Sequence, residues 1–292
     1  MNTRLLGQTG LRVSILGLGA GQIGDDQLSD ADAGRLLNTA LDLGITLIDT
    51  ARSYGRSEER IGAALRHRRG EFVLSTKVGY GVPGVPDWTS ECVRRGIDDA
   101  LRRLQTDVID VAHLHSCPAD VLLQSGVLDA LEEAKSAGKV RAVAYSGEND
   151  DLVASILSGR VEVIQLSVNL CDQRGARFMV PAAAAAGIGV IGKRPTANAP
   201  WRFRARPERE DEAIYWERWQ ALGLREEMDP QELALRFSAF VPGAASCITG
   251  TAREAHLRRN CAIVERGALP EELRAKVHAA FSAVGARWLG VI

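Results

Sequence analysis

Val108-Ile109-Asp110-Val111-Ala112 leads through a short polar stretch into the helical pattern of Ala119 to Ala137. That pattern stops at Gly138 and gives way to a second β-branched run, Val140 to Tyr145. A strand-length apolar run, a helix, a Gly suited to the left-handed position after the helix, and another strand together spell a βαβ unit. Such units build parallel sheets.

The alternation extends in both directions. Upstream, Ser14 to Leu18 precedes Asp30 to Leu43, Thr46-Leu47-Ile48 precedes Ser57 to Arg66, and Phe72 to Thr76 precedes Glu91 to Arg103. Downstream, Val140 to Tyr145 precedes Asp150 to Leu157, and Val163-Ile164-Gln165-Leu166 precedes Gly175 to Ala186. Gly189 to Gly192 leads into a long irregular segment, and Ser246 to Thr249 precedes Arg253 to Glu265. Eight strand–helix units in 292 residues point to a closed (β/α)8 TIM barrel. A doubly wound open sheet is the competitor, but it usually has fewer parallel strands. Arg4 to Val13 reads as an N-terminal β-hairpin capping the barrel bottom. Asp211 to Leu222, Pro230 to Ala239 and Pro270 to Val284 read as extra helices near the C-terminus. No composition break interrupts the chain, so residues 1–292 are expected to form one barrel domain.

Composition narrows the function. The chain is 46% hydrophobic and 25% charged, ordinary for a globular protein. Lys and Arg number 36 against 37 Asp and Glu, a net charge of −1, so no bulk charge recommends nucleic acid or an anionic membrane as partner. Five scattered cysteines without a C-x-x-C pair suggest reduced thiols rather than disulfides or a metal site. The most apolar stretch, Val180 to Gly192, is too short to cross a bilayer, which takes about 20 residues. The expectation is a cytoplasmic protein without metal. Glycine, at 29 residues, is the one excess, and Gly17, Gly19, Gly21, Gly192 and Gly250 fall where a ligand would approach the backbone.

Barrel chemistry sits at the C-terminal ends of the strands. Polar residues there are Asp49, with Tyr54 five positions on, then Lys77, His115, Ser146, Gln165, Thr249 and Thr251. A tyrosine titrates near pH 10, and a neighbouring ammonium lowers that value. A carboxylate would hold the ammonium charged, and a neutral imidazole would orient a carbonyl. Asp49, Tyr54, Lys77 and His115 together could protonate a carbonyl oxygen as hydride arrives. His113 is expected on the opposite side of its strand from His115, in a structural part. His67, His256 and His278 are expected on helices or the surface.

These residues resemble the aldo-keto reductase family. The match runs through Gly44-Ile45-Thr46-Leu47-Ile48-Asp49-Thr50-Ala51-Arg52-Ser53-Tyr54-Gly55, Ser75-Thr76-Lys77, Ile109 to His115, Gly138 to Arg141, Ser146, Gln165 with Asn169, and Gly250-Thr251 with His256-Leu257 and Asn260. The resemblance implies a nicotinamide cofactor, usually NADPH, bound without a Rossmann domain, and Tyr54 as proton donor. It implies that Ser146 and Gln165 hold the carboxamide and that Gly250, Thr251 and the helix start behind them receive the adenosine phosphate end, with His256 and Asn260 nearby. The sequence departs from the family in two places. Gly147 follows Ser146 where Asn is common, and Lys193 and Arg194 replace the usual aromatic over the nicotinamide. Arg253 is the expected 2′-phosphate ligand, which favours NADPH over NADH. Ala20, Trp88 and Trp201 are expected to line the substrate pocket, for a small-molecule carbonyl or alcohol. The alternative is a nicotinamide-binding sensor or scaffold that works through a partner.

Overall fold

The computed structural model describes residues 1–124, 126–225 and 227–291. Two short strands, β1 (Thr3–Leu5) and β2 (Arg12–Ser14), pair antiparallel as a hairpin with Arg4 opposite Val13. Eight more strands follow: β3 (Leu16–Gly19), β4 (Leu47–Asp49), β5 (Val73–Val78), β6 (Ile109–His115), β7 (Val140–Ser146), β8 (Val163–Ser167), β9 (Gly189–Lys193) and β10 (Ser246–Gly250). They pair parallel in sequence order, and β10 closes on β3, giving a barrel. Helices lie between the strands, and four of them, Glu210–Leu222, Pro230–Ala239, Glu254–Glu265 and Glu271–Val284, fill the last third of the chain.

Side chains alternate across a strand, so residues two apart share a face. Leu47, Val73, Val111, Ala142, Ala144, Val163, Ile191 and Ile248 form one buried apolar cluster with Leu6 and Val13 of the hairpin region. This is the barrel floor, stoppered by the hairpin. Two residues further along the strands, the same inward face turns polar: Asp49 above Leu47, Ser75 above Val73, His113 above Val111, Ser146 above Ala144, Gln165 above Val163 and Lys193 above Ile191. The apolar floor and polar mouth are therefore written on one face of each strand. The other strand face packs on the helices in a second, larger cluster that includes Leu18, Ile48, Leu74, Ile164 and Val190.

Three local expectations are revised. Ala119 to Ala137 is two helices, Ala119–Gln124 and Val127–Ser136, broken where Gly126 takes a left-handed φ of 73°. His113 shares the inward face with His115, because positions two apart point the same way. Its Nε2 lies 3.0 Å from the Ser75 hydroxyl inside the barrel. Gly17 does not face a ligand, since the Ile248 and Leu47 side chains fill the space a Cβ would take. Gly250 is exposed, and on its Cβ side it meets only the terminal amide of the Gln22 side chain.

Candidate active site

The centre of the polar layer is a buried ion pair. Asp49 Oδ2 accepts from Lys77 Nζ at 2.6 Å, and both side chains are about 1% exposed. Lys77 Nζ also donates to the Thr50 carbonyl at 2.8 Å. The other carboxylate oxygen of Asp49 accepts from Ser75 Oγ at 2.7 Å and from Gln165 Nε2 at 3.0 Å. Burial penalises both charges. For Lys77 the Asp49 carboxylate and the Tyr54 hydroxyl outweigh it, so its pKa lies above the ordinary lysine value. For Asp49 the ammonium outweighs burial, and its pKa lies below the ordinary value. The pair stays ionised.

Tyr54 reaches this pair from the loop after β4. Its ring centroid is 5.1 Å from Lys77 Nζ and 6.1 Å from the His115 ring, which meets it edge-on at 88°. The loop is fixed by a one-turn bond from Tyr54 N to the Ala51 carbonyl, 3.1 Å, and by Ser57 N donating to the Tyr54 carbonyl, 3.0 Å. Gly24 packs directly on that carbonyl, where a Cβ would collide with the backbone. His115 ends β6. Burial, reinforced by the Lys77 and Lys193 charges, pushes its pKa down to about 3, so the imidazole is neutral at physiological pH. His113, deeper, is pushed down to about 4 by burial.

The structure thus brings Asp49, Tyr54, Lys77 and His115 together. Ser75, His113 and Tyr80 join them, although His113 is expected to be structural and none of the three is expected to take part in the chemistry. The first two carry a signal that could have found them, since they share the inward period-two face with Lys77 and His115. Tyr80 lies on the loop beyond, which the sequence offers as a wall of the pocket without a chemical role for this residue.

The residues expected at the cofactor fall into three groups. Ser146 and Gln165 are adjacent, with Ser146 Oγ donating to Gln165 Oε1 at 3.0 Å. Gly147 is explained by Tyr145, whose Cε1 and hydroxyl oxygen would both lie 2.6 Å from a Cβ there. Lys193 and Arg194 already have partners. Lys193 Nζ is 3.1 Å from Glu148 Oε1, and Arg194 Nη1 donates to the Val291 carbonyl of the C-terminal tail at 2.6 Å. Beside them Asp172, buried and close to Glu148, has its pKa pushed up to about 7 and accepts from Val291 N at 3.2 Å. At the end of β10, Thr251 Oγ1 accepts from Arg253 N at 3.0 Å, His256 is exposed, and Asn260 Oδ1 accepts from Gln231 Nε2 at 2.5 Å.

Of the expected substrate residues, Trp88 packs against Tyr80 at 5.5 Å between ring centroids and Trp201 against Trp219 at 5.7 Å. Ala20 is fully buried in the helix-side core, so it lines no open pocket here. Its carbonyl instead accepts from Ser57 Oγ at 2.8 Å. A cavity of about 600 Å³ lies at the other end of the barrel, beside Arg12, Thr46, Arg69, Asp110 and Arg141, and holds none of the catalytic candidates. Among the described residues no cluster could hold a metal ion, and no helix is long and apolar enough to cross a membrane.

An eight-stranded parallel barrel with a polar, partly ionised mouth is a frame for chemistry, and the comparisons specify an oxidoreductase. Residues 15–280 match the aldo/keto reductase family, and the chain belongs to that family. It is similar to L-galactose dehydrogenase of Arabidopsis thaliana, 33% identical over 222 residues that cover 70% of this chain and 68% of that protein. It is also similar to D-threo-aldose 1-dehydrogenase of a Pseudomonas species, 28% identical over 86% of this chain and 89% of that protein. Among solved structures, the aldo-keto reductase AKR11C1 of Bacillus halodurans in its holo form superposes with a TM-score of 0.82 at 28% identity, covering 96% of each chain. The chain is therefore an oxidoreductase of carbonyl or alcohol groups on small molecules, from a family that uses nicotinamide cofactors, typically NADP(H).

Proposed function

We propose that this chain reduces an aldehyde or ketone with NADPH, or oxidises the corresponding alcohol or sugar in reverse, with Tyr54 as the general acid. The observation that carries this reading is the buried Asp49–Lys77 pair held 5.1 Å from the Tyr54 ring with neutral His115 alongside.

Whether the residues suit a dinucleotide is testable on their unspent polar capacity. Near Tyr54, Gly21 leaves room: a Cβ there would only touch the ring, at 3.9 Å. At the end of β10, Thr249 Oγ1 is buried without a hydrogen-bond partner among the described residues. Arg253 begins the helix Glu254–Glu265 and forms no salt bridge among the described residues, whereas Arg258 pairs with Glu254 and Arg259 with Asp229. A free guanidinium at a helix start suits a phosphate. These features fit the adenosine phosphate end and support Arg253 over its neighbours. Ser146 Oγ keeps its two lone pairs, and Gln165 keeps one lone pair on Oε1 and one N–H on Nε2, the other N–H going to Asp49, enough for a carboxamide. Lys193, clamped by Glu148, would lie against the nicotinamide through its alkyl stem rather than its charge.

When bound, the nicotinamide supplies the hydride. The chain supplies the rest. His115 offers a neutral N–H to the carbonyl oxygen and orients it. Tyr54 gives that oxygen its proton, and the Lys77 ammonium stabilises the phenolate left behind. Asp49 keeps the ammonium in place. The two sugar dehydrogenases among the relatives support a polyhydroxylated substrate.

The experiment is a panel of aldoses and simple aldehydes with NADPH, read by absorbance of the reduced nicotinamide. Turnover that vanishes in Tyr54→Phe supports the reading. Tight NADPH binding with no turnover across the panel, in either direction, would favour a sensor instead.

A further inference from the structure

We propose that Tyr80 is a positioning residue: its hydroxyl donates to Nδ1 of His115 and so confines the ring's one proton to Nε2, the nitrogen that serves the carbonyl oxygen. The proposal rests on the reading of His115 given above and names a residue that reading does not use.

The contact is close and two-fold. Tyr80 Oη lies 2.8 Å from His115 Nδ1. The two rings also stack, with centroids 5.5 Å apart and planes inclined by 27°. The hydrogen bond fixes rotation of the imidazole about its Cβ–Cγ bond, and the stack fixes its plane. Nε2 makes no hydrogen bond among the described residues.

The loop that carries Tyr80 is built to hold it. Gly79 has φ of 126°, and a Cβ there would enter the Trp88 indole, so the turn folds tightly over that ring. Trp88 N donates to the Gly79 carbonyl at 2.7 Å, Gly81 N to Asp87 Oδ1 at 2.7 Å, and Arg52 Nε to the Gly81 carbonyl at 2.8 Å. Trp88 backs Tyr80 from one side while His115 meets it on the other.

The direction of the bond follows from proton counting. A neutral imidazole has one N–H and one lone pair. Burial and the nearby Lys77 and Lys193 charges keep His115 neutral. A carbonyl oxygen only accepts, so the ring can serve it only through N–H. If the proton sat on Nδ1, Nε2 would turn a lone pair toward the carbonyl oxygen and repel it. Tyr80 must then be the donor to Nδ1. Ser53 Oγ, 3.1 Å from Tyr80 Oη, competes as an acceptor for the same hydrogen; His115 Nδ1 is nearer at 2.8 Å, and once the hydrogen goes there the Ser53 hydroxyl turns to donate to Tyr80 Oη, because a serine both donates and accepts. In outline Ser53 supports Tyr80, Tyr80 sets His115, and His115 sets the carbonyl, much as a second hydrogen bond selects the active tautomer in other histidine sites.

The test is nitrogen-15 NMR of the histidine side chains in the full-length protein at neutral pH, with His115→Gln used to assign the signal. The expected result is a His115 ring protonated at Nε2. Tyr80→Phe should then give a mixture of tautomers, a kcat lowered on the order of tenfold, and NADPH affinity within about twofold of the parent. A His115 ring protonated at Nδ1 in the parent overturns the proposal, as does a Tyr80→Phe variant with the parent's kcat. The parent's tautomer can be read even if the variant fails to fold. It can also be read if no substrate is found, so failure of the proposal is distinguishable from failure of the proposed function.

Discussion

Lys77→Met isolates what the buried ion pair contributes. In the parent, Asp49 is shielded by Lys77 Nζ at 2.6 Å, Ser75 at 2.7 Å and Gln165 at 3.0 Å, with almost no exposure to water. Removing the ammonium leaves a carboxylate in an apolar-floored barrel with only neutral donors. Breaking one side of a buried pair costs about 3–5 kcal/mol, most of it the stranded charge. At about 2–4 °C per kcal/mol for a domain of this size, the melting temperature should fall by roughly 6–20 °C. Protonating Asp49 relieves the strain, so the deficit should shrink as pH is lowered. The double variant Asp49→Asn/Lys77→Met removes both charges and should recover much of the stability. It should recover none of the turnover, because the phenolate left by Tyr54 would still lack its cation. Urea unfolding of the parent, both single variants and the double variant gives the cycle. A Lys77→Met protein within about 1 kcal/mol of the parent at pH 7 would refute the stranded-charge reasoning. A double variant that turns over normally would refute the role of the ammonium.

Two further predictions concern pH and cofactor choice. His113 and His115 have folded pKa values of about 4 and about 3, below the ordinary 6.5, so the unfolded chain binds more protons and stability falls as pH drops through that range. Each histidine contributes about 1.4 kcal/mol per pH unit between its folded value and 6.5, and Asp172, raised to about 7, opposes one of them. These three groups together should therefore cost the parent about 1.4 kcal/mol per pH unit between roughly pH 6.5 and 4, with the lowered His278 adding in the same direction, and His113→Asn should flatten the slope in urea titrations. Parallel pH curves for the two proteins would contradict it. Arg253→Ala should weaken NADPH binding on the order of tenfold while leaving NADH within about twofold, measured by quenching of tryptophan fluorescence. Equal losses for both cofactors would remove Arg253 from the 2′-phosphate.

The repeat of short β-branched runs, helices and stopping glycines made the barrel legible, because each unit's strand and helix signals are local. The clustering of Asp49, Tyr54, Lys77 and His115 was legible for a related reason. An Asp, a Lys and a His at the ends of apolar strands are costly unless the site uses them. Reading failed where long-range packing decides. Nothing in Ala119 to Ala137 announces that Gly126 turns left-handed, with its carbonyl accepting from Ser90 Oγ at 3.0 Å. The glycine-rich start of the barrel looked uniform, yet Gly17 makes room for Ile248 and Leu47 while Gly21 opens beside Tyr54. The segment after β9 hid its geometry too. Ala197, Asn198 and Ala199 all adopt left-handed φ values near 50–60°, which no residue type among them favours strongly except Asn. The partners of Lys193 and Arg194, Glu148 and the C-terminal tail, lie 45 and 97 positions away and leave no local sign. His113 needed only the period-two rule applied consistently.

Tyr54→Phe tests the central claim most directly. The variant removes one oxygen beside a buried cation and should leave NADPH affinity within about twofold of the parent. Carbonyl reduction should fall by at least a hundredfold, the scale of a lost general acid. A Tyr54→Phe enzyme that reduces carbonyls at the parent's kcat would show that the proton comes from elsewhere.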